Sequence, residues 1–184
     1  MSDCEVKLVA ITNPVVPGVA TAEEFIAYAA KVSNPGNQIN SETAPRLMQY
    51  LIRNKHWSPF EMAHMVIEIK TTRDIARQIL RHRSFSFQEF SQRYADATDL
   101  GFSNSEARLQ DAKNRQASID LDDSELQKQW DVKQEAVLEA VRDAYAWATE
   151  KNIAKEVRRK VLPEGLTNST MYMSGTVRSW IHYV

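Results

Sequence analysis

Hydrophobic and polar positions follow two periods along the chain, and each stretch predicts its own element. Residues 6–11 (VKLVAI) are a short apolar run of the length of a buried strand, broken by the following NPVVPG. Thr21, with Glu24 three residues on, is a capping box, and the helix it starts runs to about Ala30 and stops at Asn34-Pro35-Gly36. A second helix is predicted over residues 42–54, with Leu47, Met48, Leu51 and Ile52 on one face. Residues 56–61 (HWSPFE) read as a turn, because Pro59 restricts the residue before it. Residues 62–70 alternate as a strand, with Met65, Ile67 and Ile69 opposite His64, Val66 and Glu68. A helix follows from about Thr72, and the polar residues 95–120 read as a long loop with room for a short strand. Residues 122–152 are the clearest helix: Ser124 and Gln127 form a capping pattern, and Leu126, Trp130, Val137, Val141, Tyr145 and Ala148 make an apolar stripe. A shorter helix over 153–161 ends at Leu162-Pro163, residues 169–177 read as a strand or a helix start, and residues 178–184 as a helix. No repeat or linker divides the chain, so the pattern predicts one domain, residues 1–184, of mixed α and β with helices predominating.

Composition narrows what such a domain does. The chain is 43% hydrophobic and 26% charged, an ordinary globular balance. A domain of this length buries roughly 70% of the surface its unfolded chain exposes and needs no disulfide or metal staple. With 23 Lys+Arg against 24 Asp+Glu, the net charge of −1 argues against a generally basic nucleic-acid or membrane-surface binder. No apolar run approaches a membrane span, and the first residues carry acids where a secretory signal needs a basic region. Cys4 is the single cysteine, which excludes an intramolecular disulfide and makes a reducing cytoplasm the expected compartment. Asp3 and Glu5 flank Cys4 near a terminus expected to fray, a setting without the cations that favour a thiolate nucleophile.

The candidate chemistry is concentrated in residues 72–94, TRDIARQILRHRSFSFQEFSQRY. Arg73, Arg77 and Arg81 fall at i, i+4 and i+8, one cationic stripe whose members repel on a helix, with Asp74 placed to relieve part of that repulsion. The helix is read as continuing through Arg81-His82-Arg83, where the 100° step points Arg81 and Arg83 in nearly opposite directions and sets Arg83 near Ala76 and Leu80, on the apolar side. A guanidinium there needs an anionic partner, and two diverging arginines predict two anionic ligands meeting at one helix end, phosphates suiting the planar, bidentate donors. Ser86, Gln88, Glu89, Ser91, Gln92 and Arg93 add donors and acceptors, interrupted by Phe85, Phe87 and Phe90, whose rings suit stacking on a base or a flavin.

Arg81-His82-Arg83-x-x-Ser86-x-x-x-x-Ser91-x-Arg93 matches in full the RHRxxSxxxxSxR signature of the flavin-dependent thymidylate synthases, the ThyX family. Residues 56–61 resemble a second block of that family, and Arg159 to Pro163 and Arg178-Ser179 resemble its C-terminal blocks. The resemblance implies an α+β domain with a central, mostly antiparallel sheet flanked by helices. It implies methylation of dUMP to dTMP, with methylenetetrahydrofolate as carbon donor, FAD as hydride carrier and NADPH recharging the flavin. By position, Ser58, Arg81, His82, Arg83, Glu89, Arg178 and His182 resemble the flavin contacts, Ser58 reaching it from a neighbouring subunit. Gln78, Arg81, Glu89, Phe90, Ser91, Gln92 and Arg93 resemble the dUMP cradle, and Arg159 a dUMP contact across the interface. The implied assembly is a homotetramer with shared active sites.

The chain departs from the family pattern at Gln88 (Asn in many members), His182 (Asn in some) and Gln92 (Gly in others). The family's catalytic arginine, which polarises the uracil, lies a few residues beyond the position of His182, so the native chain is expected to continue past Val184. Glu61-x-x-His64 has the spacing of half a di-iron site, but no second such pair is present and no metal is expected. His56 reads equally as a folate- or flavin-side contact and as a turn histidine packed on Trp57. The rival reading is a non-catalytic nucleotide- or RNA-binding protein using the arginines and phenylalanines of residues 73–94; the even charge weighs against an extended nucleic-acid surface.

Overall fold

The computed structural model describes residues 4–184, so Asp3, one of the acids flanking Cys4, lies outside the described residues. In chain order the elements are β1 (Glu5–Ile11), α1 (Ala22–Ala30), α2 (Ala44–Arg53), β2 (His64–Thr72), α3 (Arg73–Ile79), β3 (Ser86–Glu89), β4 (Arg108–Gln110), β5 (Ser118–Asp120), α4 (Ser124–Glu150), α5 (Lys155–Arg158), β6 (Asn168–Thr176) and α6 (Val177–Tyr183), with 3-10 turns between several of them. The main sheet has the order β1-β2-β6-β3. Two compact units are distinct: residues 70–81 and 89–171 with Glu5 at the chain start, and residues 6–69, 82–88 and 172–184. Strands β2, β3 and β6 each begin in one unit and end in the other.

The second unit is built on a core of Ala22, Ile26, Leu51, Phe60 and Ala63, against which Leu47, Met48, Trp57, Val177 and Ile181 pack. Burying side chains the size of Phe60, Ile26 and Leu51 contributes about 1.5–3 kcal/mol each. Helix α1 starts as its sequence predicts: Thr21 Oγ1 accepts from Glu24 N at 3.1 Å, while the Glu24 carboxylate takes the backbone N–H of Ala20 at 2.6 Å. Of the predicted α2 face, Leu51 is buried, whereas Ile52 is 41% exposed. β1 forms where predicted but is not buried; all seven residues are exposed on a strand at the sheet edge, because β2 covers it on one side only.

In the first unit the long α4 begins one residue differently from the predicted cap. Asp123, not Ser124, is the N-cap, its carboxylate accepting from Glu125 N and Leu126 N at 3.0 Å. Gln127 is thereby free to act sideways: Oε1 accepts from Ala107 N at 2.8 Å. Two turns on, the buried Gln134 holds Ser105 through its N–H, hydroxyl and carbonyl. These glutamines, seven residues apart, fix the middle of the predicted loop to the helix. Leu138, Val141, Tyr145 and Ala148 form the buried stripe, whereas Leu126, Trp130 and Val137 are 39–48% exposed. Within residues 95–120 a two-stranded antiparallel pair forms, Leu109 opposite Ile119.

Candidate active site

The start of α3 fixes the chemistry of the first unit. Its leading backbone donors are taken by loop carbonyls, Arg73 N by Thr167 O at 3.0 Å and Asp74 N by Glu164 O at 3.3 Å. Arg73 is thereby held inside, 4% exposed. Its guanidinium meets Glu89 through Nη1 and Glu164 through Nε, both at 3.4 Å. Arg77, one turn later and exposed, meets the other oxygen of Glu164 at 3.4 Å. Glu164 bridges Arg73 and Arg77 and so offsets their mutual repulsion, while the Asp74 carboxylate accepts the Thr72 hydroxyl.

The helix ends at Ile79, so the predicted continuation through Arg81-His82-Arg83 does not form and these three residues occupy a turn. The 100° argument therefore fails, and Arg83 is exposed rather than set on the apolar side. Among the described residues neither Arg81 nor Arg83 has an ion pair.

After β3, the Phe90 N–H bonds to Thr170 O at 2.9 Å, and Tyr94 N and Ala95 N both bond to Ser91 O, making a tight turn. Ser91, Arg93 and Tyr94 line an open groove of about 540 Å³ with Ala154, Lys155 and Glu156. Arg93 pairs with Glu156 at 3.2 Å, and Lys155 donates to Tyr94 O at 3.0 Å. Arg159 lies half-buried beside them, its Nε on Glu156 O at 3.4 Å. Its neighbour Arg158, missed by sequence reasoning, pairs with Asp96 at 2.9 Å and stacks over the Tyr145 ring at 5.1 Å. The Tyr145 hydroxyl raises the Arg158 pKa, and Asp96 adds to it. Burial pushes the Asp96 carboxyl up, but bonds from the Thr98 hydroxyl and N–H, with Tyr145 and Arg158, hold it below the usual carboxylate range. Gln92 is turned inward, 5% exposed, and its Nε2 has no partner among the described residues. Gln78 is exposed on α3.

In the second unit the predicted residues sit among aromatic rings. His82 meets Tyr183 edge-on at 4.8 Å, Phe85 meets Trp180 at 4.6 Å, and His182 meets Trp57 at 4.7 Å. Gly175 permits the Phe85 packing: a Cβ there would come within 2.5 Å of the ring. His56 packs edge-on against Tyr50 at 6.0 Å rather than on Trp57. A small pocket of about 240 Å³ is lined by Arg83 with the hydroxyl residues Ser84, Ser86, Ser174 and Thr176. Arg178 bonds to Glu61 at 2.7 Å, and the Thr176 hydroxyl, then Arg178, hold the Glu61 carboxyl below its ordinary range. Ser58, exposed at the start of its 3-10 turn, lines an apolar groove of about 410 Å³ with Phe25, Tyr28 and Met62. Glu61 and His64 lie in that turn and at the start of β2; among the described residues no group of His, Cys, Asp and Glu could hold a metal. A cavity of about 1020 Å³ between the β4–β5 pair and the start of α4 is lined by five carboxylates and contains none of the predicted site residues.

The structure thus sorts the predicted residues. Gln78, Arg81, Glu89, Phe90, Ser91, Gln92, Arg93 and Arg159 belong to the first unit; Ser58, His82, Arg83, Arg178 and His182 to the second. Uncommitted guanidinium donors beside hydroxyls fit a phosphate, and the surrounding rings fit a flat heterocycle. Such groups have the chemistry that a phosphorylated aromatic small molecule requires.

The family model described as thymidylate synthase complementing protein matches residues 15–184. The chain is 55% identical over 178 residues to a probable flavin-dependent thymidylate synthase of Paramecium bursaria Chlorella virus 1, covering 97% of this chain and 82% of that protein. It is 48% identical over 182 residues to a flavin-dependent thymidylate synthase of Synechocystis sp., with the same coverage. A solved UMP/dUMP methylase, PolB from Streptomyces cacaoi bound with 5-Br dUMP, superposes with a TM-score of 0.77 at 26% identity, over 100% of this chain and 77% of that one. The chain belongs to the family of flavin-dependent thymidylate synthases, enzymes of an α+β fold with an antiparallel sheet. No helix among the described residues is long and apolar enough to cross a membrane.

Proposed function

We propose that the chain carries out the reductive methylation of dUMP to dTMP, with its two sets of predicted residues dividing the ligands between them. The observation that supports this most is the complete signature of residues 81–93, whose last part lines the 540 Å³ groove of the first unit. That volume lies within the range of small-ligand sites of ~300–1,000 Å³. Ser91, Arg93 and Lys155 supply a hydroxyl and two cations for a nucleotide phosphate, and Tyr94 an aromatic wall. Gln78, Arg81, Glu89, Phe90, Gln92 and Arg159 complete the proposed dUMP set. Gln92 enters it through its backbone or a change of rotamer, since its side chain is turned inward.

Ser58, Arg81, His82, Arg83, Glu89, Arg178 and His182 are the proposed flavin contacts. Bound FAD supplies the reducing hydride, NADPH restores it and methylenetetrahydrofolate gives the carbon. The protein's part is to bind and orient. Arg83 and the hydroxyls around it fit a flavin phosphate, and His82 is held by Tyr183. The 240 Å³ pocket takes a phosphate and not a whole flavin, which supports a site completed by neighbouring subunits of a homotetramer. The exposed apolar edge strand β1, with Val6 59% and Leu8 52% exposed, supports the same assembly, since such an edge needs a cover. We further propose that the two units are parts of one family domain, as the match spans both. A cytoplasmic location is supported by the lone exposed Cys4, and the net charge of −1 speaks against a nucleic-acid partner.

The test is oxidation of the reduced flavin by dUMP in the presence of methylenetetrahydrofolate, with the product identified. Formation of dTMP is expected; a colourless protein copurifying with RNA would overturn the reading. Light scattering gives the subunit number. Mixing Ser58→Tyr with Arg83→Ala subunits is expected to restore turnover that neither has alone if sites are shared.

A further inference from the structure

We propose that Arg73 is a positioning residue for Glu89: with Ser169 it clamps one carboxylate oxygen and leaves the other to the nucleotide. The inference rests on the reading of Glu89 as a dUMP contact.

Glu89 ends β3, and two buried groups converge on the same oxygen. The Ser169 hydroxyl, from β6, donates to Oε1 at 2.9 Å. Arg73 Nη1 donates to Oε1 at 3.4 Å. Ser169 is 1% and Arg73 4% exposed, so neither has water as an alternative partner. Oε2 has no partner among the described residues. The terminal torsion of a glutamate is broad and twofold, so a free carboxylate would present either oxygen in many orientations. Two donors on one oxygen remove that freedom.

Arg73 is itself fixed. Its N–H is tied to Thr167 O, and its Nε is held by Glu164, whose second oxygen is held by Arg77. The row Ser169–Glu89–Arg73–Glu164–Arg77 runs from a buried hydroxyl to an exposed cation, entirely within one unit. What Oε2 offers is a preset acceptor for one N–H or O–H of the nucleotide, at an orientation that costs nothing to adopt on binding. A planar guanidinium reaches two carboxylates at once from fixed angles; an ammonium is a single point charge.

The experiment is equilibrium dialysis of dUMP against the flavin-loaded protein, in the wild-type and Glu89→Gln backgrounds. Arg73→Met and Ser169→Ala are each expected to weaken dUMP binding about tenfold in the first background and to have almost no effect in the second, since their action passes through the Glu89 carboxylate. Arg73→Lys is expected to recover part of the loss. FAD content and thermal midpoint report the fold separately. Equal weakening in both backgrounds would overturn the clamp, as would unchanged binding in a folded Ser169→Ala protein; that variant decides the matter if Arg73→Met does not fold. If wild-type, flavin-loaded protein binds no dUMP, the functional reading fails and the clamp falls with it; if Glu89→Gln binds dUMP as wild type does, the clamp alone fails.

Discussion

Arg83 in the second unit is held in the opposite way to four arginines of the first, although Arg178 of the second unit pairs with Glu61 and Arg81 of the first has no ion pair among the described residues. In the first, Arg73, Arg77, Arg93 and Arg158 each face a carboxylate, at 2.9–3.4 Å. In the second, Arg83 has no ion pair among the described residues, and the turn that carries it is held by rings instead, His82 on Tyr183 and Phe85 on Trp180. Carboxylates aim a guanidinium but compete with an anionic ligand for it. Aromatic packing leaves the guanidinium uncommitted and aims only the backbone that presents it. The first arrangement suits a substrate that must be oriented and released each turnover; the second suits a cofactor that stays.

If that contrast holds, Arg83→Ala has the largest functional effect. Its phosphate partner would lose a charge-assisted contact worth about 2–5 kcal/mol. A folded protein that has lost its flavin absorbance is expected, and normal flavin stoichiometry would break the comparison. Phe60→Ala should remove about 3–5 kcal/mol of stability from the second unit's core, read as a fall in the urea midpoint. Gly175→Ala places a methyl where the Phe85 ring lies and should cost about 1–3 kcal/mol, with partial flavin loss as the turn shifts.

Smaller effects test the carboxylate side. Asp96 has a lowered carboxyl pKa, so its contribution to stability is full above the unfolded value and is lost as pH falls through the folded one. Urea midpoints measured from neutral pH down to about pH 3 should fall less steeply in Asp96→Asn than in wild type. Glu61 behaves with the same sign in the second unit, but its exposed pair with Arg178 makes the effect slighter. Glu156→Gln removes the competitor for Arg93. It should leave stability within about 1 kcal/mol and tighten dUMP binding a few-fold; weaker binding would show Glu156 to be part of the cradle rather than its rival. Cys4→Ala should turn over normally, since the exposed thiol has Asp3 and Glu5 as its neighbours in sequence, and acids disfavour a thiolate.

Local chemistry was legible wherever neighbours in sequence do the work. The sequence alone determined the Thr21 cap, the turn at Pro59, the strand at residues 64–72, and the family, because the signature of residues 81–93 is a contiguous string; it left residues 169–177 open between a strand and a helix start, and the structure makes them the strand β6 running into α6. It misjudged the end of α3, since periodicity in Ile75, Ala76, Ile79 and Leu80 cannot show that the chain leaves the helix at Ile79. It took Gln127 for a cap because capping and side-to-side bonding use the same amide, and only the position of Ala107 distinguishes them. Tertiary structure decided which arginines are committed. Glu164 lies 91 residues from Arg73 and Ser169 lies 80 from Glu89, and no spacing along a chain records such a pairing. A guanidinium's role depends on which anions the fold brings within a few ångströms of it, since electrostatic attraction and hydrogen bonding act over distance in space and not along the sequence.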